Sequence, residues 1–334
     1  MNIRDHPIFI CGYKKSGTTL LLAMLDNHPE LLVYPVESAF FKVFLPLIKE
    51  RNLEEKIALA RGHLIPYHSL IKQVVEQLEP ADKNTEENVY AYYADMCKNM
   101  RHLIDNGGFR NDGDLLSSSV LAFGKVKGQL RTSSKAWVEK TPGNEYYADK
   151  IFQWWPDARC IHIMRSPVDN FASVSRKHPE SIFPESFARA WVNSTKRGYF
   201  NQRKYGTNKY LILRYEDLVG NTDETIAKLI SFLEISMNEN LKMPSLCGIP
   251  WSGNSMFGDE FTGISKKPLN RGSQVFIVDK RIIGLISGSF MNKLGYPVEY
   301  NSTSRAYMHI IRNVITRIYR KFNKLEKNSP LINI

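Results

Sequence analysis

At 334 residues, 43% of them apolar and 24% charged, the chain can bury a substantial core as one large α/β domain or one domain with a sizeable insertion. Lys and Arg number 45 against 34 Asp and Glu, and the formal charge of +11 suits an acidic ligand, an anionic membrane surface or nucleic acid without choosing among them. Cys11, Cys97, Cys160 and Cys247 form no CxxC pair and no Cys/His ligand spacing, so they read as reduced thiols, with no disulfide framework and no zinc. Residues 1–12 are too short and too mixed for a signal peptide. The apolar run Leu20–Leu25 falls far below the about 20 residues of a transmembrane helix. The expectation is a cytoplasmic protein that does not span a membrane.

In chain order, Ile8–Gly12 predicts a buried strand that runs into the loop Gly12-Tyr13-Lys14-Lys15-Ser16-Gly17 and a helix opening at Thr18-Thr19. Glycines at both ends let the backbone turn tightly and present its N–H groups, and the helix N-terminus favours an anion. An ATP-type loop carries lysine directly after its second glycine; here that position is Thr18 and the cation is Lys15, two positions before Gly17. Leu31–Pro35 reads as the second strand. From about Ser38 to Lys135 no strand is predicted. Helical patches at Leu53–Leu64, Ser69–Leu78 and Glu86–Ile104, with turn chemistry at Gly107-Gly108, Asn111-Asp112-Gly113-Asp114 and Ser117–Ser119, read as a helical insertion. Strands resume at Ala136–Glu139, Ala158–Met164 and Tyr210–Tyr215.

This alternation of strands and helices predicts parallel βαβ units in a P-loop-like, doubly wound α/β sheet, and the uninterrupted apolar runs predict cover on both faces. The chain turns irregular after Leu233 and regains helix near Asp279–Leu294. Residues 1–300 are expected to form a single α/β domain. Residues 301–334 read as a basic amphipathic helix and tail, with Ile311, Ile315, Ile318 and Phe322 against Arg312, Arg317, Arg320 and Lys321. It either packs on the domain or lies on an anionic membrane.

A second constellation, Arg165-Ser166-Pro167-Val168-Asp169-Asn170-Phe171-Ala172-Ser173, follows a strand into a helix, where ligands of open α/β sheets bind. Arg165 alone reads as a structural ion pair. Together with the first loop, Arg165 and Ser173 read as brackets for a second phosphate. The pairing of Tyr13-Lys14-Lys15-Ser16-Gly17-Thr18-Thr19 with Arg165…Ser173 resembles the sulfotransferases that use 3′-phosphoadenosine 5′-phosphosulfate. Glu139-Lys140-Thr141-Pro142, Arg214-Tyr215-Glu216-Asp217-Leu218 and Gly253-Asn254 resemble the bacterial and Golgi-type carbohydrate branch. The likeness covers about residues 8–42 and 136–295.

The resemblance implies that Lys15 stabilises charge on the departing phosphate while the amides of Ser16, Gly17, Thr18 and Thr19 cradle the 5′-phosphate, with no metal required. Arg165 and Ser173 would hold the 3′-phosphate, and Arg271 would add a basic clamp on it. Glu37, just beyond the second strand, would take the acceptor proton; its competing reading is a carboxylate complementing a helix N-terminus. Lys140 and His68 are placed on the acceptor side, and His28, His63 and His68 are fallback bases. Lys14 stands where the family usually has proline, and Leu20 where the aryl branch has an aromatic residue, which leaves the adenine-stacking partner unassigned. The implied partners are a hydroxyl-bearing glycan or glycolipid and, through the C-terminal helix, the inner face of a membrane. The alternatives are a P-loop kinase or nucleoside triphosphatase, which would need a lysine at position 18, and a non-catalytic basic protein binding membrane or nucleic acid; for nucleic acid, no aromatic–basic interleaving is present.

Overall fold

The structure is a computed structural model and describes residues 2–65, 85–177, 182–253, 257, 261 and 263–299. In chain order the main elements are β1 (Pro7–Cys11), α1 (Thr18–Leu25), β2 (Leu31–Val33), α2 (Leu53–His63), α3 (Thr85–Gly107), α4 (Gly113–Val126), β3 (Ala136–Lys140), α5 (Ala148–Trp154) and β4 (Arg159–Met164). There follow α6 (Pro167–Lys177), α7 (Pro184–Tyr205), β5 (Tyr210–Arg214), α8 (Tyr215–Gly220), α9 (Thr222–Leu233), the short strands β6 (Ser245–Leu246) and β7 (Ile249–Pro250), and α10 (Ile277–Lys293). The described residues group into two compact units, those of Met1–Arg165 with Ser194–Leu269, and those of Ser166–Asn193 with the described residues after Leu269.

The first unit is built on a five-stranded sheet in the order β2-β3-β1-β4-β5, parallel at every pairing. The fold is the α/β architecture expected of βαβ units. Side chains alternate across the pleat: Ile8, Ile10, Val138, Ile161, Ile163 and Leu213 pack on one face with α1, α8 and α9. Phe9, Cys11, Trp137, Cys160 and Tyr210 pack on the other, with α2, α3, α4 and α5. Because both faces are covered, all five residues of β1 are buried, which is why its sequence reads as an unbroken apolar run. Phe9 meets Trp137 and Trp155 with ring centroids 5.5 Å from each, contacts worth about 0.5–1.5 kcal/mol apiece beyond the area they bury.

Among the described residues of 38–135 there are helices and no strand. Asn52 and Glu55 form a reciprocal capping box that starts α2. The patch expected at Ser69–Leu78 lies outside the described residues, as does the amphipathic helix expected over 301–334. One expectation is overturned: Gly113 and Ser117–Ser119 do not punctuate a loop but lie within α4. The hydroxyls of Ser117 and Ser119 donate to the carbonyls of Gly113 and Leu115, at 3.4 and 2.7 Å, and so satisfy themselves inside a helix whose burial overrides their turn propensity. Another feature absent from the sequence reading is the β6–β7 hairpin. Its Cys247-Gly248 turn has φ of 56° and 81°, and Asp26 holds it by accepting from Ser245 Oγ and Gly248 N–H, both at 2.7 Å.

Connections leave β1 toward β2 on one side and β4 toward β5 on the other, so the adjacent carboxyl ends of β1 and β4 form the topological switch point of the sheet. The loop after β1 and Arg165 after β4 are thereby set side by side.

The second unit contains α6 and α10. Phe171 and Phe187 meet edge to face at 5.2 Å and are core residues. Gly272 N–H donates to Asp169 Oδ1 at 2.5 Å and ties the turn Arg271–Gln274 to the first turn of α6.

Candidate active site

The loop after β1 is held by contacts that only glycine permits at two positions. Gly12 has φ 127°, and a Cβ there would lie 2.3 Å from the carbonyl oxygen of Ile163 on β4. Gly17 has φ 101°, and a Cβ there would lie 2.3 Å from the ring of Tyr215. Between them Lys15 itself adopts a left-handed φ of 62°, a conformation that costs a non-glycine residue about 1–2 kcal/mol. Ser16 N–H donates back to Tyr13 O at 3.2 Å, which makes that amide part of the turn, and α1 begins at Thr18 with Gly17 as its cap. The first amides of a helix have no intrahelical acceptor, and here they open toward the loop.

Arg165 joins this loop in the same unit. Its guanidinium donates to Lys15 O at 3.1 Å and to Pro268 O at 2.6 Å, and it lies 4.7 Å from the centroid of the Tyr215 ring. Tyr215 is therefore a floor touched by Gly17 and by Arg165 at once, a role its place after β5 did not disclose.

Two buried carboxylates anchor the rim. Glu145 accepts from Gly12 N–H (3.1 Å), Gly143 N–H (3.0 Å) and Ser194 Oγ (2.5 Å), while Asn201 Nδ2 donates to its backbone carbonyl at 2.7 Å. Glu139 accepts from Ser38 N–H and Oγ (3.1 and 2.7 Å), Thr141 Oγ1 (2.5 Å) and Asn144 Nδ2 (2.8 Å). Burial pushes the Glu139 carboxyl above its ordinary range, and the Thr141 and Ser38 hydrogen bonds offset only part of that. Glu145 was missed in the sequence, where a carboxylate in a post-strand turn carries no periodic signal.

Glu37 and Lys140 are brought together. Lys140 Nζ donates to Glu37 Oε1; the lysine side chain is 6% exposed and the glutamate side chain 52%. Glu139 keeps both ends of this pair in register, since it lies next to Lys140 on β3 and grips Ser38, the neighbour of Glu37.

In the second unit, Ser173 is buried on α6 and donates to Asp169 O at 3.2 Å. Arg271 is also buried, beside the Gly272 amide that Asp169 binds. Of the fallback bases, His28 is fully buried, its Nδ1 accepting from Glu30 N–H (3.2 Å) and its Nε2 facing Ser236 O (3.0 Å), which makes it structural. His63 is exposed, with its ring centroid 5.9 Å from that of Phe44. His68 lies outside the described residues. All four cysteines are free thiols. Among the described residues no three His, Cys, Asp or Glu side chains are grouped to hold a metal ion, and no helix is long and apolar enough to cross a membrane.

Comparison with known proteins bears on this arrangement. The sulfotransferase domain of the Curacin biosynthetic pathway matches the fold at a TM-score of 0.53 and 17% identity, over 87% of this chain and 98% of that one. The sulfotransferase domain of the olefin synthase from Synechococcus PCC 7002 matches at 0.51 and 17%, over 88% and 96%. No curated protein sequence matches the chain. The model of the sulfotransferase family matches residues 7–239, a span that begins at β1 and takes in the loop, the Glu37–Lys140 pair, Arg165 and Tyr215. With more than half of its length matched and the same fold beneath the loop, the chain belongs to the sulfotransferase family and is an enzyme of that class.

Proposed function

We propose that this enzyme transfers the sulfuryl group of 3′-phosphoadenosine 5′-phosphosulfate to a hydroxyl of a carbohydrate or glycolipid acceptor. The observation that carries the reading is the loop itself: two glycines whose missing Cβ atoms are replaced by Ile163 O and the Tyr215 ring, with left-handed Lys15 between them. Such a loop at a helix N-terminus fits a 5′-phosphate, and Thr18 in place of lysine separates it from the nucleoside triphosphate type. In this reading the amides of Gly17, Thr18 and Thr19 cradle the phosphate, and Arg165, Ser173 and Arg271 serve the 3′-phosphate. The turn bond at Ser16 N–H argues for its hydroxyl rather than its amide as the contributing group.

The acceptor oxygen attacks sulfur, and the bond from sulfur to the 5′-phosphate oxygen breaks. The acceptor proton passes to Glu37, and the charge gathering on the departing bisphosphate meets Lys15. Lys140, paired with Glu37, orients that carboxylate toward the acceptor. A cytoplasmic location and contact of residues 301–334 with an anionic membrane complete the proposal.

The test is direct. The metal-free 3′,5′-bisphosphate should raise the melting temperature where Mg-ATP does not, and labelled donor should pass its sulfuryl group to members of a glycan and glycolipid panel. Glu37→Gln should keep the bisphosphate shift and lose turnover by about 10²-fold or more. Full activity in that variant removes Glu37 from the mechanism, and a response to Mg-ATP alone overturns the donor.

A further inference from the structure

Beside the loop anchor lies a group of side chains that this chemistry leaves unused. Ser194 and Asn201, which bind Glu145, share a face of α7 with Arg197, three residues after the first and four before the second. The Arg197 guanidinium lies 5.8 Å from the centroid of the Tyr146 ring and 5.6 Å from that of Phe200. Both rings are exposed, at 46% and 43%. Arg101, Arg110, Arg159 and Arg189 each close an ion pair, whereas Arg197 closes none among the described residues. Asp149, whose charge Arg197 feels, is already held by Lys204 at 2.9 Å and by Tyr205. Tyr146 follows the residue that holds Gly12 N–H. Tyr13, on the loop, has its hydroxyl pushed up to about 12 by burial and by Tyr146, which makes the two phenols neighbours.

Two exposed rings and an unpaired guanidinium ask for complementary chemistry. Aromatic faces take the C–H surface of a saturated ring, and a planar guanidinium takes a carboxylate or sulfate through two parallel hydrogen bonds. We infer that Tyr146, Arg197 and Phe200 form a binding platform for an acidic sugar unit of the acceptor, one residue from the anchor of the phosphate loop. The inference rests on the sulfotransfer reading above and narrows its acceptor to anionic glycans.

Calorimetric titration of the full chain with a hexuronate-containing tetrasaccharide, its carboxyl-reduced counterpart and an oligoglutamate of equal charge tests it. The acidic sugar should bind about tenfold more tightly than the reduced one, the return on one charge-assisted pair. Arg197→Gln should erase that ratio. Phe200→Ser should weaken both sugars by a common factor, and Arg197→Lys should restore only part of the preference. An unchanged ratio in Arg197→Gln overturns the platform, as does oligoglutamate binding equal to that of the acidic sugar, which would mark a plain cationic surface. The bisphosphate melting shift, read on the same samples, reports the donor site separately: its absence from the wild-type chain defeats the sulfotransfer reading while the sugar ratios still judge the platform.

Discussion

Glu139 shows how one buried carboxylate can hold the segments that carry the proposed base and its lysine partner. It is fully buried, and its oxygens collect Ser38, Thr141 and Asn144, which fixes the chain on either side of Glu37 and Lys140. Removing it strands three polar groups in an apolar setting, each costing about 1–3 kcal/mol if unrescued. Glu139→Ala should therefore lower stability by at least about 2 kcal/mol and depress turnover even though Glu37 and Lys140 are intact. Glu139→Gln keeps the volume and, through its amide oxygen, the three contacts from Ser38 and Thr141, and a flip of the Asn144 amide restores the fourth, so it should retain most activity. The pH response separates the variants as well. Burial raises the folded-state pKa of Glu139, so the folded protein binds its proton more tightly than the unfolded chain. Its contribution to stability is greatest below the unfolded value and declines as pH rises from there through the folded value. Denaturant midpoints measured across that window should show this slope in wild type and lack it in Glu139→Gln; identical slopes would mean that folding leaves the pKa of this carboxyl unshifted.

At the scale of elements, α4 is fastened to the segment that leads into β1 through Asp114, in its first turn. Arg4, in the turn before β1, contacts Asp114 Oδ1 at 2.9 Å, with both side chains at 6% exposure or less; Arg110 adds its backbone N–H at 2.6 Å and its guanidinium at 2.9 Å. Burial alone would raise the Asp114 carboxyl, but the Arg110 hydrogen bonds and the Arg4 charge outweigh it and the net displacement is downward. The stabilisation it supplies is complete above the unfolded value and is lost as pH falls through the depressed folded value. Asp114→Ala, which leaves Arg4 buried without its carboxylate, should destabilise by about 3 kcal/mol at neutral pH, with the half-exposed Arg110 adding little. Thermal unfolding should show the gap to wild type narrowing below about pH 4; a gap constant with pH would assign the loss to packing. Elements of this kind were unevenly legible in the sequence. The five strands of the parallel sheet were readable to within two residues because strands covered on both faces are rich in apolar residues, and Gly12, Lys15 and Gly17 were readable because the loop fixes their spacing. Helix α4 was not, since serines that would mark a turn in solvent bond back to their own helix when buried. Glu145 and Tyr215 were not either, because the partner of one lies 133 residues away at Gly12 and the ring of the other meets Gly17 on the loop of a strand two places away in the sheet.

For the molecule as a whole, charge is the property that no single contact expresses. The chain carries 45 Lys and Arg against 34 Asp and Glu, and many of its acids are already paired, among them Asp112 with Lys56, Glu30 with Lys135 and Asp223 with Lys242. The excess of 11 positive charges is therefore a field felt at a distance, and the proposed donor and product are small polyanions. Such a field raises the encounter rate without changing the bound geometry, whereas the contacts proposed for Lys15 and Arg165 act at short range. The two contributions separate with salt, because the screening length falls from about 30 Å at 10 mM to about 8 Å at 150 mM while contact pairs are screened much less. Stopped-flow binding of the 3′,5′-bisphosphate should show the association rate falling by about tenfold across that range, with dissociation changing far less. Lys15→Met should reverse the emphasis: dissociation accelerates, while the salt slope of association stays close to that of wild type, since one charge in an excess of 11 alters the far field little. A salt effect confined to dissociation would mean that the basic excess serves another partner and that the donor is captured by local contacts alone.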